Sequence, residues 1–290
     1  MTAPIAHFNG RLLPLDQISI SPLDRGFIFG DGVYEVIPVY GGMPLHAREH
    51  FERLQRSMDE IQLKNPRTVH EWIRATAELL AHHPGNQAVY IQVTRGAPQK
   101  RDHVIPKDLV PTVFMMSNPL ASPSKEAIEN GVACVSSRDF RWEKCHVKST
   151  SLLGNVLARQ ISVEAGATET VLFRDGMLTE ASSSNVFIVK NGVVAAPPRD
   201  HLILLGITYE LAAKLAREGA VKLEIRPITE AEVRSADEIW LTSSTKEVLA
   251  VTTLDGKPVG SGKPGPAFRH MHALYQDYKA KLGSARTVAA

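Results

Sequence analysis

The stretch "CHVKSTSLLGN", residues 145–155, decides how the rest of the chain is read. It sets Lys148 between a β-like run and the start of a helix. Upstream, "VACVSSRDFRWEKCHV" (132–147) is rich in β-branched and aromatic residues, the composition of a strand. Downstream, Leu152, Leu153, Val156, Leu157 and Ile161 recur at helical spacing as far as Gly166, and Ser149 and Thr150 are helix N-cap residue types. Lys148 is therefore expected at the C-terminal end of a strand, where α/β sheets open their binding crevices. A lone lysine is ordinarily a solvated charge, so a functional role needs partners.

Working outward, the N-terminal part reads as strands, turns and two helices. "HFNGRLLPL" carries an Asn9-Gly10 hairpin signal, and "GVYEVIPVYGGMPL" is a long strand reversing at Gly41-Gly42. "REHFERLQRSMDEI" and "VHEWIRATAELLAHH" have helical periodicity, and the strand "AVYIQVTR" follows. The Pro- and Ser-rich "SNPLASPSKEA" (117–127) is the linker candidate. Beyond it come the strand "VACVSS", the helix after Lys148, hairpins at Asp175-Gly176 and Asn191-Gly192, and the helix "YELAAKLAREG". The strand "KLEIRPI", a short helix after Thr229, the strand "EIWLTSS" and a last helix "AFRHMHALYQDYKAKLG" complete the chain. The expected class is α/β: a small α+β domain over residues 1–118, a linker over 119–126 and a larger mixed α/β domain over 127–290.

The bulk properties narrow the function classes. A length of 290 residues suits two domains, and 43% hydrophobic with 22% charged residues is ordinary globular composition. A formal charge of +2, with no basic stripe interleaved with aromatics, gives no footprint for nucleic acid or anionic membrane. No apolar run reaches membrane-spanning length, and the N-terminus "MTAPIAHFNG" lacks the pattern of a signal peptide. Cys134 and Cys145 have neither metal-ligand spacing nor a disulfide framework, so a cytoplasmic protein without a metal site is expected.

Three turns in the second half could converge with Lys148. "LTEASSSN" (178–185) holds Glu180 and Ser183, "LLGIT" (204–208) puts Ile207 and Thr208 at a helix start, and "WLTSSTKE" (240–247) ends a strand with Ser243 and Ser244. Each has a plain reading, since Ser and Thr cap helices and fill turns. Together they suggest one ligand. The helix start offers unpaired N–H groups and a positive dipole end to an anion, and the serines could complete a phosphate cup. A carboxylate could hold a protonated ring nitrogen, and a lysine could hold an aldehyde as a Schiff base. That is the set pyridoxal 5'-phosphate requires.

With "DRGFIFGDGVYEV", "EHFERL", "RWEKCHVKSTSLLGNVLA", "LTEASSSNVF", "LLGIT" and "LTSSTKEV" in this order, the chain resembles the fold-type-IV, class IV pyridoxal-phosphate aminotransferases along nearly its whole length. Within them it is most similar to the D-amino-acid transaminases. The resemblance implies that Lys148 carries the cofactor and serves as the catalytic base, that Glu180 pairs with the pyridine nitrogen, and that Ser183 lies at the cofactor. It also implies that Arg53 of "FERL" binds the phosphate beside Ile207, Thr208, Ser243 and Ser244. A homodimer acting on amino acids and 2-oxo acids is implied as well.

Fold alone does not set the reaction. In "TRGAPQKRDHVIP" (94–106), Arg101 and His103 form an Arg-x-His unit that, with Tyr34, is implied to trap a substrate carboxylate, a task suited to the guanidinium fork. Lys100 competes with Arg101 for the role, and Pro38 removes a donor from a pocket-wall strand. The expected activity is transfer of the amino group of a D-amino acid such as D-alanine to 2-oxoglutarate or pyruvate. A branched-chain L-amino-acid transaminase and an aminodeoxychorismate lyase are the alternatives. Two glycine-rich mimics of phosphate loops, "GFIFGDG" and "GKPVGSGKP", lack the strand–loop–helix context or the closing Ser/Thr.

Overall fold

The structure, a computed structural model, describes residues 3–219 and 221–288. It divides into two compact units: the chain up to Leu120 together with Val147–Leu152, and Ala121–His146 together with the chain from Leu153 onward.

The first unit contains β1 (Ile5–Phe8), β2 (Arg11–Pro14), α1 (Arg25–Phe29), β3 (Gly32–Tyr40), β4 (Met43–Pro44), α2 (Ala47–Glu60), α3 (Val69–Leu80), β5 (Gln87–Thr94) and β6 (Thr112–Pro119). The six strands form an antiparallel sheet in the order β2-β1-β6-β5-β3-β4. Asn9 and Gly10 turn β1 into β2 with φ of 48° and 88°, the left-handed pair that a two-residue hairpin demands. Phe51, Leu54 and Met58 of α2 and Trp72 and Leu79 of α3 are fully buried against Val33, Ile37, Val89, Ile91 and Val93 of the sheet. The Phe51 and Trp72 rings stack with centroids 6.1 Å apart. Thr68 and Glu71 close a capping box at the start of α3, satisfying first-turn donors that would otherwise face water.

The second unit contains α4 (Lys125–Asn130), β7 (Val132–Arg138), α5 (Leu153–Glu164), β8 (Glu169–Arg174), β9 (Met177–Ala181), β10 (Asn185–Lys190), β11 (Val193–Ala196), α6 (Ile207–Glu218), β12 (Leu223–Ile225), α7 (Glu230–Arg234), β13 (Glu238–Ser243), β14 (Glu247–Leu254), β15 (Lys257–Pro258) and α8 (Pro266–Val288). Its mixed sheet runs β12-β11-β10-β13-β14-β7-β8-β9, with β15 on β14. β7 pairs parallel with both β14 and β8, and β11 with β12, while the other pairs are antiparallel. Nearly every residue of β8, β10 and β13 is buried, as expected of strands covered on both faces. Cys134 and Cys145 are buried free thiols, which burial pushes up to about 12 and about 11.

Three local readings change. Residues 117–119 finish β6 rather than begin a linker, since a proline at a strand end removes no needed ladder bond, and residues 125–130 form α4 capped by the Ser124 hydroxyl. β7 ends at Arg138, well before Lys148: the Asp139 carboxylate accepts the Arg141 backbone N–H at 3.1 Å and turns the chain out of the strand. Lys148 thus lies in an irregular stretch held to β3, with Ser149 bridging Val33. Thr150 and Ser151 donate their hydroxyls to the Gly30 carbonyl at 2.9 and 3.0 Å, and α5 starts only at Leu153. Gly30 has φ 66°, and a Cβ there would sit 2.6 Å from the Ser151 hydroxyl, so this tie depends on glycine.

Candidate active site

In the first unit the candidate residues hang on β3 and α2. Lys148 donates its backbone N–H to the Ser57 hydroxyl at 3.2 Å and accepts the Tyr34 N–H at 2.9 Å. Its ammonium lies 4.2 Å from the centroid of the Tyr34 ring, which packs in turn on Tyr90 at 5.7 Å. Neighbouring strand residues point to opposite faces, so Glu35 turns to the side opposite Tyr34 and meets α2. There Arg53 donates Nε and Nη2 to the two Glu35 oxygens, each at 2.8 Å, and His50 Nδ1 lies 2.7 Å from Glu35 Oε2. All three side chains are buried. Burial alone would raise the Glu35 carboxyl, but the Arg53 guanidinium and His50 outweigh it and hold the group well below the usual carboxylate range. Burial pushes the His50 imidazole down against the pull of Glu35.

Arg101 and His103 share one support. The Arg101 guanidinium sits 4.8 Å from the Phe29 centroid, and the His103 and Phe29 rings lie 5.0 Å apart. It is Arg101, not Lys100, that lies over this ring. No hydrogen bond or ring contact joins Tyr34 to Arg101 or His103 among the described residues.

In the second unit, Glu180 is the penultimate residue of β9 and is buried. It accepts from Arg141 Nη1, from Asn185 Nδ2 at 3.2 Å and from the Leu204 N–H at 3.0 Å. Arg141 also donates Nε and Nη2 to Asp139 at 3.0 and 2.9 Å. Burial works against the charge on both Arg141 and Asp139, but their mutual bonds, with Glu180 added on Arg141, outweigh it. The guanidinium is held protonated and Asp139 stays below the usual carboxylate range. Glu180 goes the other way: burial pushes it up to about 7 because Arg141 only partly offsets the desolvation. Ser183 is committed elsewhere. Its hydroxyl donates to Glu169 at 2.6 Å, beside those of Ser182 and Ser184, and Lys246 Nζ donates at 3.0 Å to both Glu169 and Ser183.

Ile207 and Thr208 open α6 behind Gly206, which offers no side-chain cap. The helix's backbone bonding begins with the Glu210 N–H to the Gly206 carbonyl at 3.0 Å, so its earliest N–H groups have no intrahelical acceptor. A Cβ on residue 206 would fall 2.3 Å from the Asn185 amide oxygen, which fixes glycine there. Ser243 ends β13 and accepts the Lys246 N–H at 3.0 Å, and Ser244 follows in the turn. Among the described residues, Thr242 Oγ1 is buried without a hydrogen-bond partner.

These features fit pyridoxal phosphate. An uncapped helix start suits a phosphate. A buried carboxylate pushed up to about 7 is relieved by one more cationic donor, such as a protonated ring nitrogen. The orphaned Thr242 hydroxyl also calls for a partner. Sequence reasoning missed Glu35, His50, Asp139, Arg141 and Glu169, because burial of a charge leaves no periodic trace. Only the Asp–x–Arg spacing of "RDFRW" marks the Asp139–Arg141 pair. Among the described residues there is no cluster fit to hold a metal ion and no helix long and apolar enough to cross a membrane.

The comparisons with known proteins agree. A D-alanine aminotransferase of Bacillus licheniformis is 39% identical over 272 residues, spanning 93% of this chain and 95% of its own length. One from Staphylococcus haemolyticus is 36% identical over 93% of this chain and 96% of its own. Among solved structures, the T.th. branched-chain amino acid aminotransferase with pyridoxamine 5'-phosphate superposes with a TM-score of 0.89 at 23% identity, covering 96% of this chain and 94% of that one. The branched-chain aminotransferase of Thermoproteus uzoniensis with norvaline gives 0.87 at 24% identity, covering 98% and 96%. At such identities these two establish the fold. The family described as amino-transferase class IV matches residues 32–254. The chain belongs to the class IV aminotransferases and is a pyridoxal-phosphate-dependent transaminase of fold type IV.

Proposed function

We propose that the enzyme is a D-amino-acid transaminase, moving the amino group of D-alanine or a similar D-amino acid to 2-oxoglutarate or pyruvate. One observation carries the choice within the family: relatives named D-alanine aminotransferase match at 36–39% identity across 93% of the chain. When bound, pyridoxal phosphate supplies an aldehyde that captures the substrate amine and a protonated ring that accepts the electron pair left at Cα. Lys148 Nζ would hold that aldehyde, and as a free amine it would serve as the base for the substrate Cα proton. Its contact with the Tyr34 ring supports an amine held in one place. Glu180 holds the ring nitrogen, with Arg141 and Asn185 orienting the carboxylate. Arg53, Ile207, Thr208, Ser243 and Ser244 bind the phosphate. Ser183 contributes at the cofactor through the turn that Glu169 anchors.

Arg101 and His103, with Tyr34, hold the substrate carboxylate, and the position of Arg101 on Phe29 favours it over Lys100. We infer a cytoplasmic homodimer. The test is a spectral half-reaction of the cofactor-loaded enzyme. D-alanine should shift the cofactor absorbance and L-leucine or L-valine should not. The reverse result moves the enzyme to the branched-chain L-amino-acid transaminases, and release of 4-aminobenzoate from aminodeoxychorismate moves it to the lyases.

A further inference from the structure

Arg25 is a buried arginine at the start of α1 that no catalytic role so far uses. Its Nε donates to Asp31 Oδ2 at 2.7 Å, which leaves the other face of the guanidinium fork aimed at the loop carrying Arg101 and His103. There Nη1 donates to the carbonyls of Asp102 and, at 3.3 Å, of Val104, and Nη2 reaches the His103 carbonyl at 3.4 Å. One guanidinium thus collects three successive carbonyls. The same group lies 4.9 Å from the centroid of the Phe29 ring, the ring on which Arg101 and His103 also pack at 4.8 and 5.0 Å.

The anchor behind Arg25 is rigid. Arg95 donates Nε and Nη2 to Asp31 at 2.8 and 2.9 Å, and it also holds the carbonyls of Ile61 and Gln62 just past α2. Residues 101–105, by contrast, are exposed and lack regular secondary structure. A segment so poor in buried contacts would sample many conformations. Only a planar, permanently charged five-donor group can hold one carboxylate and three carbonyls together, so lysine does not replace it.

We infer that Arg25 is a positioning residue for substrate recognition: it clamps the 102–104 backbone so that Arg101 and His103 are presented in one geometry to the substrate carboxylate. The inference rests on the reading that Arg101 and His103 hold that carboxylate. It accounts for a costly buried cation whose carbonyl partners all lie in one exposed loop.

The test uses the cofactor-loaded enzyme with Arg25→Met, Arg25→Lys, Arg101→Ala and the double variant R25M/R101A. Arg25→Met should raise KM for D-alanine about tenfold or more, with a much smaller change in kcat, because binding common to ground and transition states is lost. The double variant should be no worse than Arg101→Ala, since Arg25 acts through the loop. Amide hydrogen exchange over residues 101–106 should speed up about tenfold or more while α2 is unchanged. Arg25→Lys keeps a charge on Asp31 but not the three-carbonyl grip. It should therefore show the same loop exchange and KM effects even where Arg25→Met folds poorly. Multiplying effects of Arg25→Met and Arg101→Ala, or unchanged loop exchange, overturns the clamp. If Arg101→Ala leaves KM for D-alanine untouched, the loop's substrate role fails and Arg25's share in recognition fails with it, while the exchange data still judge the clamp separately.

Discussion

Replacing Glu35 by glutamine removes the charge that neutralises the Arg53 guanidinium inside the first unit. The geometry sets the expected size. Glu35 takes hydrogen bonds from Arg53 Nε and Nη2 at 2.8 Å and from His50 Nδ1 at 2.7 Å, all among buried side chains. Bonds of this charged kind contribute ~1.5–3 kcal/mol each, and breaking a buried pair by changing one partner costs ~3–5 kcal/mol because the surviving charge is stranded. We therefore expect Glu35→Gln to lower the stability of the first unit by ~3–5 kcal/mol near neutral pH. The assay is urea unfolding of the cofactor-free protein followed through Trp72, with Trp142 and Trp240 changed to phenylalanine so that the first unit alone is read. The double change E35Q/R53M should cost less than the sum of its singles. The Glu35 carboxyl is held below its unfolded value, so its contribution is present above about pH 4 and fades as pH falls further. A Glu35→Gln protein within ~1 kcal/mol of the parent, or strictly additive singles, would refute the buried-fork account.

Further outcomes follow from the same geometry. Trp72, fully buried against Phe51, should cost ~3–5 kcal/mol as Trp72→Ala in the same unfolding assay, scored by circular dichroism, and a loss below ~1 would contradict the packing. Glu180 is raised to about 7 in the fold, so folding favours its protonated form. Its contribution is complete below the unfolded value of ~4.3 and is lost as pH rises to about 7, a span of roughly 4 kcal/mol. The stability of the cofactor-free parent relative to Glu180→Gln should fall across that window, and a flat difference counts against the burial argument.

Where chemistry is local, the sequence is legible. Asn9-Gly10, Asp175-Gly176 and Asn191-Gly192 each adopt the paired left-handed turn that their residue types favour. α2, α3 and α6 follow from apolar spacing, and "NVFIVK" and "EIWLTS" read as buried strands. β6 escapes because it follows a proline and carries two methionines with no clean alternation, so its end reads as linker. The neighbourhood of Lys148 reads wrongly as the end of a strand. The Asp139 turn that ends β7 depends on a side-chain contact to the Arg141 N–H that periodicity does not register. The buried charges are illegible for a related reason. Glu35 alternates along β3 like any strand residue, and only the arrival of Arg53 and His50 from α2 makes its ionisation tolerable. Glu169 likewise gains its meaning from three serines and Lys246 brought to it by the fold.

We propose that the Lys148 amine is the covalent tether of the cofactor. The most direct measurement is borohydride reduction of the loaded enzyme followed by peptide mapping. The phosphopyridoxyl mass should fall on the peptide containing "CHVKSTSLLGN" and on no other, and the label should be lost in Lys148→Ala. A label on a different lysine, or one that persists in Lys148→Ala, would contradict it.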